Sequence, residues 1–193
     1  MSINQRRIKL ISFVLSLILL IALYGLQAGW FGQSAQRSGQ ANQPGLYRID
    51  HFVDGDTIAV KMNGAVETVR MIGVDTPETH RPNTPVQCYG PEAADYTKKV
   101  IGRGSVRLEA DPLDTNRDRY DRLLRYVFLP DGSLLETKLI TEGYGFAYTL
   151  FPFEKKAEFQ TYQDQAQAAH KGLWSDCQVT TDSSGASHTN ALP

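Results

Sequence analysis

Residues 54–79 read DGDTIAVKMNGAVETVRMIGVDTPET, two runs rich in Val, Ile and Thr joined by Asn63-Gly64. Asn-Gly between such runs is a strong hairpin signal, because the two-residue turn needs positive φ at both central positions. Ile58, Val60 and Met62 share one parity and read as a buried face, with Asp56 on the same parity at the mouth of the strand. After the return strand, Gly73 and Pro77 break the pattern and leave Asp75, Thr76 and Glu78 on a loop. A hairpin brings its two ends together, so Asp56 and Asp75 converge and can share one hard cation through oxygen ligands. Arg70 stands beside them, a planar donor fork for an anionic group.

Working outward, Tyr47 to Val53 reads as a strand ahead of the hairpin, Thr57 to Met62 and Val66 to Ile72 form its arms, and Val106 to Ala110 and Leu123 to Leu129 follow. Gly90-Pro91-Glu92 opens a helix, with proline in its first turn and an acid near its N-terminus, that runs to Gly102. Leu134 to Glu142 reads as a second helix stopped by Gly143, and Glu154 to His170 as a third ending at Lys171-Gly172. Five short strands with helices inserted late point to an α+β domain, a five-stranded OB-type barrel with about three packed helices.

The chain of 193 residues carries this one domain, at 46–177, plus appendages. Residues 1–9 are basic (Arg6, Arg7, Lys9), and 10–26 form an uncharged, mostly apolar run. At about 17 residues that run sits at the lower limit for spanning a bilayer, and fits a signal anchor or a cleaved signal peptide. Either reading exports the domain, membrane-anchored in the first case and secreted in the second. Residues 27–45 read as a flexible linker, and 178–193, dominated by Thr, Ser, Gly and Asn, as a disordered tail. The net charge of −1 offers no global electrostatic case for nucleic acid, but Arg117, Arg119, Arg122 and Arg125 are grouped. Cys88 and Cys177 form no metal-site or redox spacing. In an oxidising compartment one disulfide is the natural reading, with two separate thiols as the alternative.

VDGDT at 53–57, Arg70, VDTPET at 74–79, YGPEA at 89–93, DRYDR at 118–122 and GLWS at 172–175 stand in an order and spacing that resemble the staphylococcal nuclease (thermonuclease) family. The resemblance spans roughly Tyr47 to Ser175. It implies a hydrolase that cuts phosphodiester bonds of DNA and RNA to leave 3′-phosphates, with Ca²⁺ as its cofactor. On that resemblance Asp56, Asp75 and the Thr76 carbonyl hold the ion. Glu78 acts as general base or orients the attacking water, and Arg70 and Arg122 hold the scissile phosphate. Arg119 and Tyr120 meet a terminal phosphate, and Tyr148 is the candidate for base stacking. No protein partner is implied, and a monomer suffices.

Each assignment has a plainer rival: Asp56 as a turn residue, Asp75 to Glu78 as a turn signature, Arg122 as an ion-pair partner of Asp118 or Asp121. His51, His80, His170 and His188 are scattered and read as structural or solvent-facing. Asp121 stands where the family usually has glycine, so it must take up glycine-like backbone, which Asp tolerates, and it brings negative charge beside Arg122.

Overall fold

The computed structural model describes residues 45–80 and 84–192, all within one compact unit, Gly39–Pro193. The basic N-region, the candidate anchor or signal at 10–26 and nearly all of the linker lie outside the described residues. Among the described residues no helix is long and apolar enough to cross a membrane.

Strands β1 (Tyr47–Asp54), β2 (Thr57–Met62), β3 (Ala65–Met71), β5 (Ser105–Glu109) and β6 (Leu123–Phe128) close a barrel in the order β1-β2-β3-β6-β5. All neighbouring pairs are antiparallel except β3 and β6, which run parallel with Arg70 opposite Leu124. Asn63 and Gly64 turn the β2–β3 hairpin at φ 52° and 80°, the geometry an Asn-Gly turn requires. Ile58, Val60 and Met62 enter the core as their parity predicts, together with Val69 and Met71 of β3. Strand β2 also buries Thr57 and Ala59 on its other face. Helix α1 (Gly90–Ile101) packs against β1, and its Thr97 hydroxyl donates to the carbonyl of Gly55, in the β1–β2 turn, at 2.6 Å.

The three predicted helices are present as α1, α2 (Leu135–Thr141) and α3 (Lys156–Ala168), with a short α4 (Leu173–Asp176) after Gly172. Two strand pairs were not foreseen. Strand β4 (Val74–Asp75) pairs with β7 (Phe146–Ala147), tying the acidic loop to the segment that leads into Tyr148. Gly73 makes the turn into β4 at φ 72°, and a Cβ there would lie 2.6 Å from the Phe153 ring. That position needs glycine for conformation and for space.

The expected disordered tail is instead a hairpin, β8 (Val179–Thr181) with β9 (Ser187–Thr189). Its threonines suit strands, and the Asp182 carboxylate closes the turn by accepting the amides of Ser184 at 2.8 Å and Ala186 at 3.1 Å. The next residues pair with 86–88: Cys88 N–H donates to Asn190 O and Leu192 N–H to Val86 O, both at 2.8 Å. A disulfide joins Cys88 to Cys177 at the hairpin's base. Composition alone misses this order, because hydrogen bonds and a covalent staple take the place of apolar burial.

Glu136 on α2 is fully buried and accepts the Val127 N–H at 3.0 and 3.2 Å. Burial raises its pKa well above the ordinary 4.5, against the opposing pull of Val127 and Arg70. Above that ordinary value the native state keeps a proton that the unfolded chain has released. The contribution of this group to stability therefore falls as pH rises toward the raised folded value, by up to about 1.4 kcal/mol per pH unit. Glu136→Gln should raise Tm over wild type at pH 8 and change it least near pH 5. Equal shifts in calorimetric scans at the two pH values would contradict this.

Candidate active site

Arg70 is the centre around which the acidic residues gather. Its Nη1 donates to the Val74 carbonyl at 2.6 Å and the Met71 carbonyl at 3.1 Å, which fixes the guanidinium against the loop that follows its own strand. The same nitrogen lies 3.2 Å from Asp56 Oδ2, and Nη2 lies 2.5 Å from Asp75 Oδ1. The two carboxylates of the hairpin's opposite ends therefore converge on one cation, with side-chain exposures of 9% and 26% that keep them partly dry. Burial opposes the Arg70 charge, but Asp56, Asp75 and Glu78 outweigh it and hold the guanidinium protonated.

Asp56 is fixed further by the Thr57 hydroxyl at 2.8 Å and by the Thr76 amide, which donates to Oδ2 at 2.9 Å. Thr76 Oγ1 is buried and has no hydrogen-bond partner among the described residues. A Cβ on Gly55 would lie 2.7 Å from that hydroxyl, so glycine is what lets the two ends of the hairpin close up. Asp54, which sequence reading left aside, accepts the Gly55 amide at 2.8 Å and the Thr79 hydroxyl at 3.0 Å, holding the far end of the acidic loop.

Asp75 is pushed above the usual carboxylate range. Burial is the main cause, and Asp56 and Glu78 add to it while Arg70 pulls it down. Three carboxylates beside one guanidinium are short of positive charge. A buried Asp56 and a half-buried Asp75 next to an unpartnered hydroxyl, an all-oxygen set, fit a hard divalent cation. His, Cys, Asp and Glu supply no cluster of three or more that could hold a metal among the described residues, so Thr76 and solvent would complete the shell.

Arg122 immediately precedes β6 and stands two residues before Leu124, the register partner of Arg70. Its Nε donates to Asp118 Oδ2 at 2.7 Å and its amide to Asp118 Oδ1 at 3.0 Å. The ion-pair rival is thus realised with Asp118. Among the described residues that pairing engages only Nε, and it leaves the Nη edge for an anion. Asp121 adopts φ 64°, as its glycine-like position demands. Its carboxylate lies 3.5 Å from Arg117 Nε and is 82% exposed, so the extra negative charge is directed to Arg117. Arg117 also pairs with Glu67 at 3.0 Å, and Arg125 is buried against Asn116, which removes both from the outward-facing cationic group.

Arg119 and Tyr120 sit exposed on the rim, joined by a hydrogen bond of 2.7 Å, with the Tyr120 ring centroid 4.8 Å from Arg119 Cζ and 5.4 Å from Arg122 Cζ. Tyr148 is placed by its amide, which donates to Gly73 O at 2.8 Å. Burial raises its hydroxyl pKa and Asp75 adds to the rise, while Arg70 and Arg119 pull it back. Tyr148 is therefore within electrostatic reach of Asp75, Arg70 and Arg119. Glu78 is half-buried at the loop's end, its amide donating to Gln87 Oε1 at 2.8 Å. His51, His80 and His188 bond to Asp50, Thr79 and Asp182 respectively, and His188 is also near enough for its charge to be felt at Asp75.

Residues 68–176, which carry Arg70, Asp75, Glu78 and Arg122, match the family model described as staphylococcal nuclease homologue. The chain belongs to the staphylococcal nuclease family. It is 42% identical over 168 residues to the thermonuclease of Staphylococcus hyicus, covering 86% of this chain and 96% of that protein. It is 42% identical over 129 residues to the thermonuclease of Staphylococcus intermedius, covering 66% and 75%. Endonuclease YncB of Bacillus subtilis (strain 168) is 37% identical over 159 residues, 79% of this chain and 74% of that protein. The chain is accordingly an enzyme, a hydrolase of the nuclease class.

Proposed function

We propose that this protein is an exported, calcium-dependent nuclease that hydrolyses DNA and RNA with little sugar or sequence preference, leaving 3′-phosphate and 5′-hydroxyl ends. The convergence of Asp56 and Asp75 on Arg70, with Glu78 close by, is the observation that carries this reading.

Asp56, Asp75 and the Thr76 carbonyl would hold the Ca²⁺, which supplies Lewis-acid polarisation and charge neutralisation when bound. Arg70 and Arg122 receive the phosphate on their planar forks and gain interaction as negative charge builds at phosphorus. Glu78 accepts a proton from water as its oxygen bonds to phosphorus. The bond from phosphorus to the 5′-oxygen then breaks, and that oxygen leaves and takes a proton from solvent. Glu78 must be ionised to accept the proton from water, and positive charge gathered at the phosphate favours the ionised form. Arg119 and Tyr120 suit a neighbouring phosphate at the rim, and Tyr148 offers a ring to a flanking base. One copy of the chain carries the whole site, so it acts as a monomer.

Export rests on the uncharged run at 10–26 behind Arg6, Arg7 and Lys9, and on the disulfide, which suits an oxidising compartment. The protein is held at the membrane if that run is retained and released if it is cut.

End analysis of labelled DNA and RNA oligonucleotides after digestion tests the reaction. Fragments of both should carry 3′-phosphates, and 3′-hydroxyl products or inert substrates would contradict the assignment.

A further inference from the structure

Glu78 and Gln87 are joined by two hydrogen bonds. The Glu78 amide donates to Gln87 Oε1 at 2.8 Å, and the Gln87 amide donates to the Glu78 carbonyl at 2.9 Å. Gln87 is itself held from its other side by the end of the chain, through a β-bridge to Ala191. On either flank of that bridge, Leu192 N–H donates to Val86 O and Cys88 N–H donates to Asn190 O. The Thr189 hydroxyl adds a bond to Cys88 O at 2.8 Å, and the Cys88–Cys177 disulfide ties the same residue to the base of the β8–β9 hairpin. Asn190 closes the circuit, its side chain accepting the Gln178 amide and its own amide donating to Gln178 O. Gly90 presses in from α1, where a Cβ would lie 2.9 Å from the Glu78 carbonyl oxygen.

A connected series of hydrogen bonds thus runs from residues 189–192 through Gln87 to the backbone of Glu78. We infer that Gln87 is a positioning residue for Glu78, and that residues 189–192 form a brace belonging to the active site. The inference rests on the reading of Glu78 as the proton acceptor. A base must stand within hydrogen-bond reach of the attacking water, and small displacements cost rate steeply. The loop bearing Glu78 follows β4, which lies outside the barrel in a two-stranded pair with β7, and the barrel reaches the loop beyond Glu78 through Asp54 and Thr79. Gln87 adds a second anchor at Glu78 itself, its amide oxygen accepting the Glu78 backbone N–H at 2.8 Å.

The test compares full-length wild type, Gln87→Met and Gln87→Glu in steady-state cleavage of one single-stranded oligonucleotide. Met keeps the length of the side chain and removes the acceptor, whereas Glu keeps an acceptor oxygen. Gln87→Met should lower kcat about tenfold or more with KM within about twofold of wild type, and Gln87→Glu should recover most of the loss. Leu192→Pro removes the N–H that reaches Val86 and should lower kcat in the same sense, which decides the matter if Gln87→Met does not fold. Wild-type kcat in Gln87→Met, an equal loss in Gln87→Glu, or wild-type kcat in Leu192→Pro overturns the inference and leaves the nuclease reading intact. A wild-type protein that cleaves nothing overturns that reading and the inference with it.

Discussion

Arg122→Lys should cut kcat for DNA by about 10²–10³, the loss of roughly 3–4 kcal/mol seen when one strong donor to a developing charge is removed. Lysine can still meet Asp118, so the loop of residues 116–122 has no reason to collapse. What it cannot do is hold Asp118 through one nitrogen and offer a planar pair of N–H groups to the phosphate. Arg122 meets Asp118 through Nε at 2.7 Å and so divides its fork between scaffold and substrate. Because the clamp tightens as charge builds, kcat should fall far more than KM rises. Arg70→Lys should lose at least as much, since Arg70 also joins Asp56 to Asp75. Steady-state kinetics with unchanged circular dichroism checks both. Retention of more than about a third of the wild-type rate would withdraw that residue's role.

Removing the disulfide should produce the largest change in stability. Cys88 and Cys177 are 89 residues apart in sequence. Closing a loop of that size removes chain entropy from the unfolded state equivalent to roughly 4–5 kcal/mol, an upper figure because native strain subtracts from it. At 2–8 °C per kcal/mol for domains of this range, Cys88→Ser/Cys177→Ser should melt roughly 10 °C or more below wild type. The effect acts mainly on the unfolded chain, so the native pairing of 86–88 with 189–192 persists well below Tm. Cleavage at low temperature should therefore largely survive, while heat tolerance should not. A double variant that melts with wild type would show the staple to be idle.

The barrel was legible because its central hairpin carries its own turn chemistry in Asn63-Gly64 and a strict parity in Ile58, Val60 and Met62. The acidic site was legible for the same reason, since a hairpin whose ends meet must bring Asp56 and Asp75 together. Burial of both faces of β2 was not, because it depends on what tertiary packing lays over the strand's second face and not on the strand's own period. The β4–β7 pair has two residues on each side, too few for any period to show. The β8–β9 hairpin looked like disorder because its order comes from Asp182 closing a turn and from partners some hundred residues earlier in the chain. Gln87 carried no signal either: an amide side chain bonding a backbone amide nine residues away follows no pattern of spacing. Asp121 shows the opposite case, where its place in the DRYDR motif foretold the positive φ but not the turn of its charge toward Arg117.

The initial rate of oligonucleotide cleavage as a function of added cation tests the central claim most directly. Ca²⁺ tolerates the irregular oxygen set of Asp56, Asp75 and Thr76, whereas Mg²⁺ demands near-octahedral geometry and keeps its waters. The full chain should cleave with Ca²⁺, cleave little with Mg²⁺ and stop in chelator, and Asp56→Ala should remove the Ca²⁺ response. Equal rates with the two ions, or full activity in chelator, would contradict a reaction built on these carboxylates.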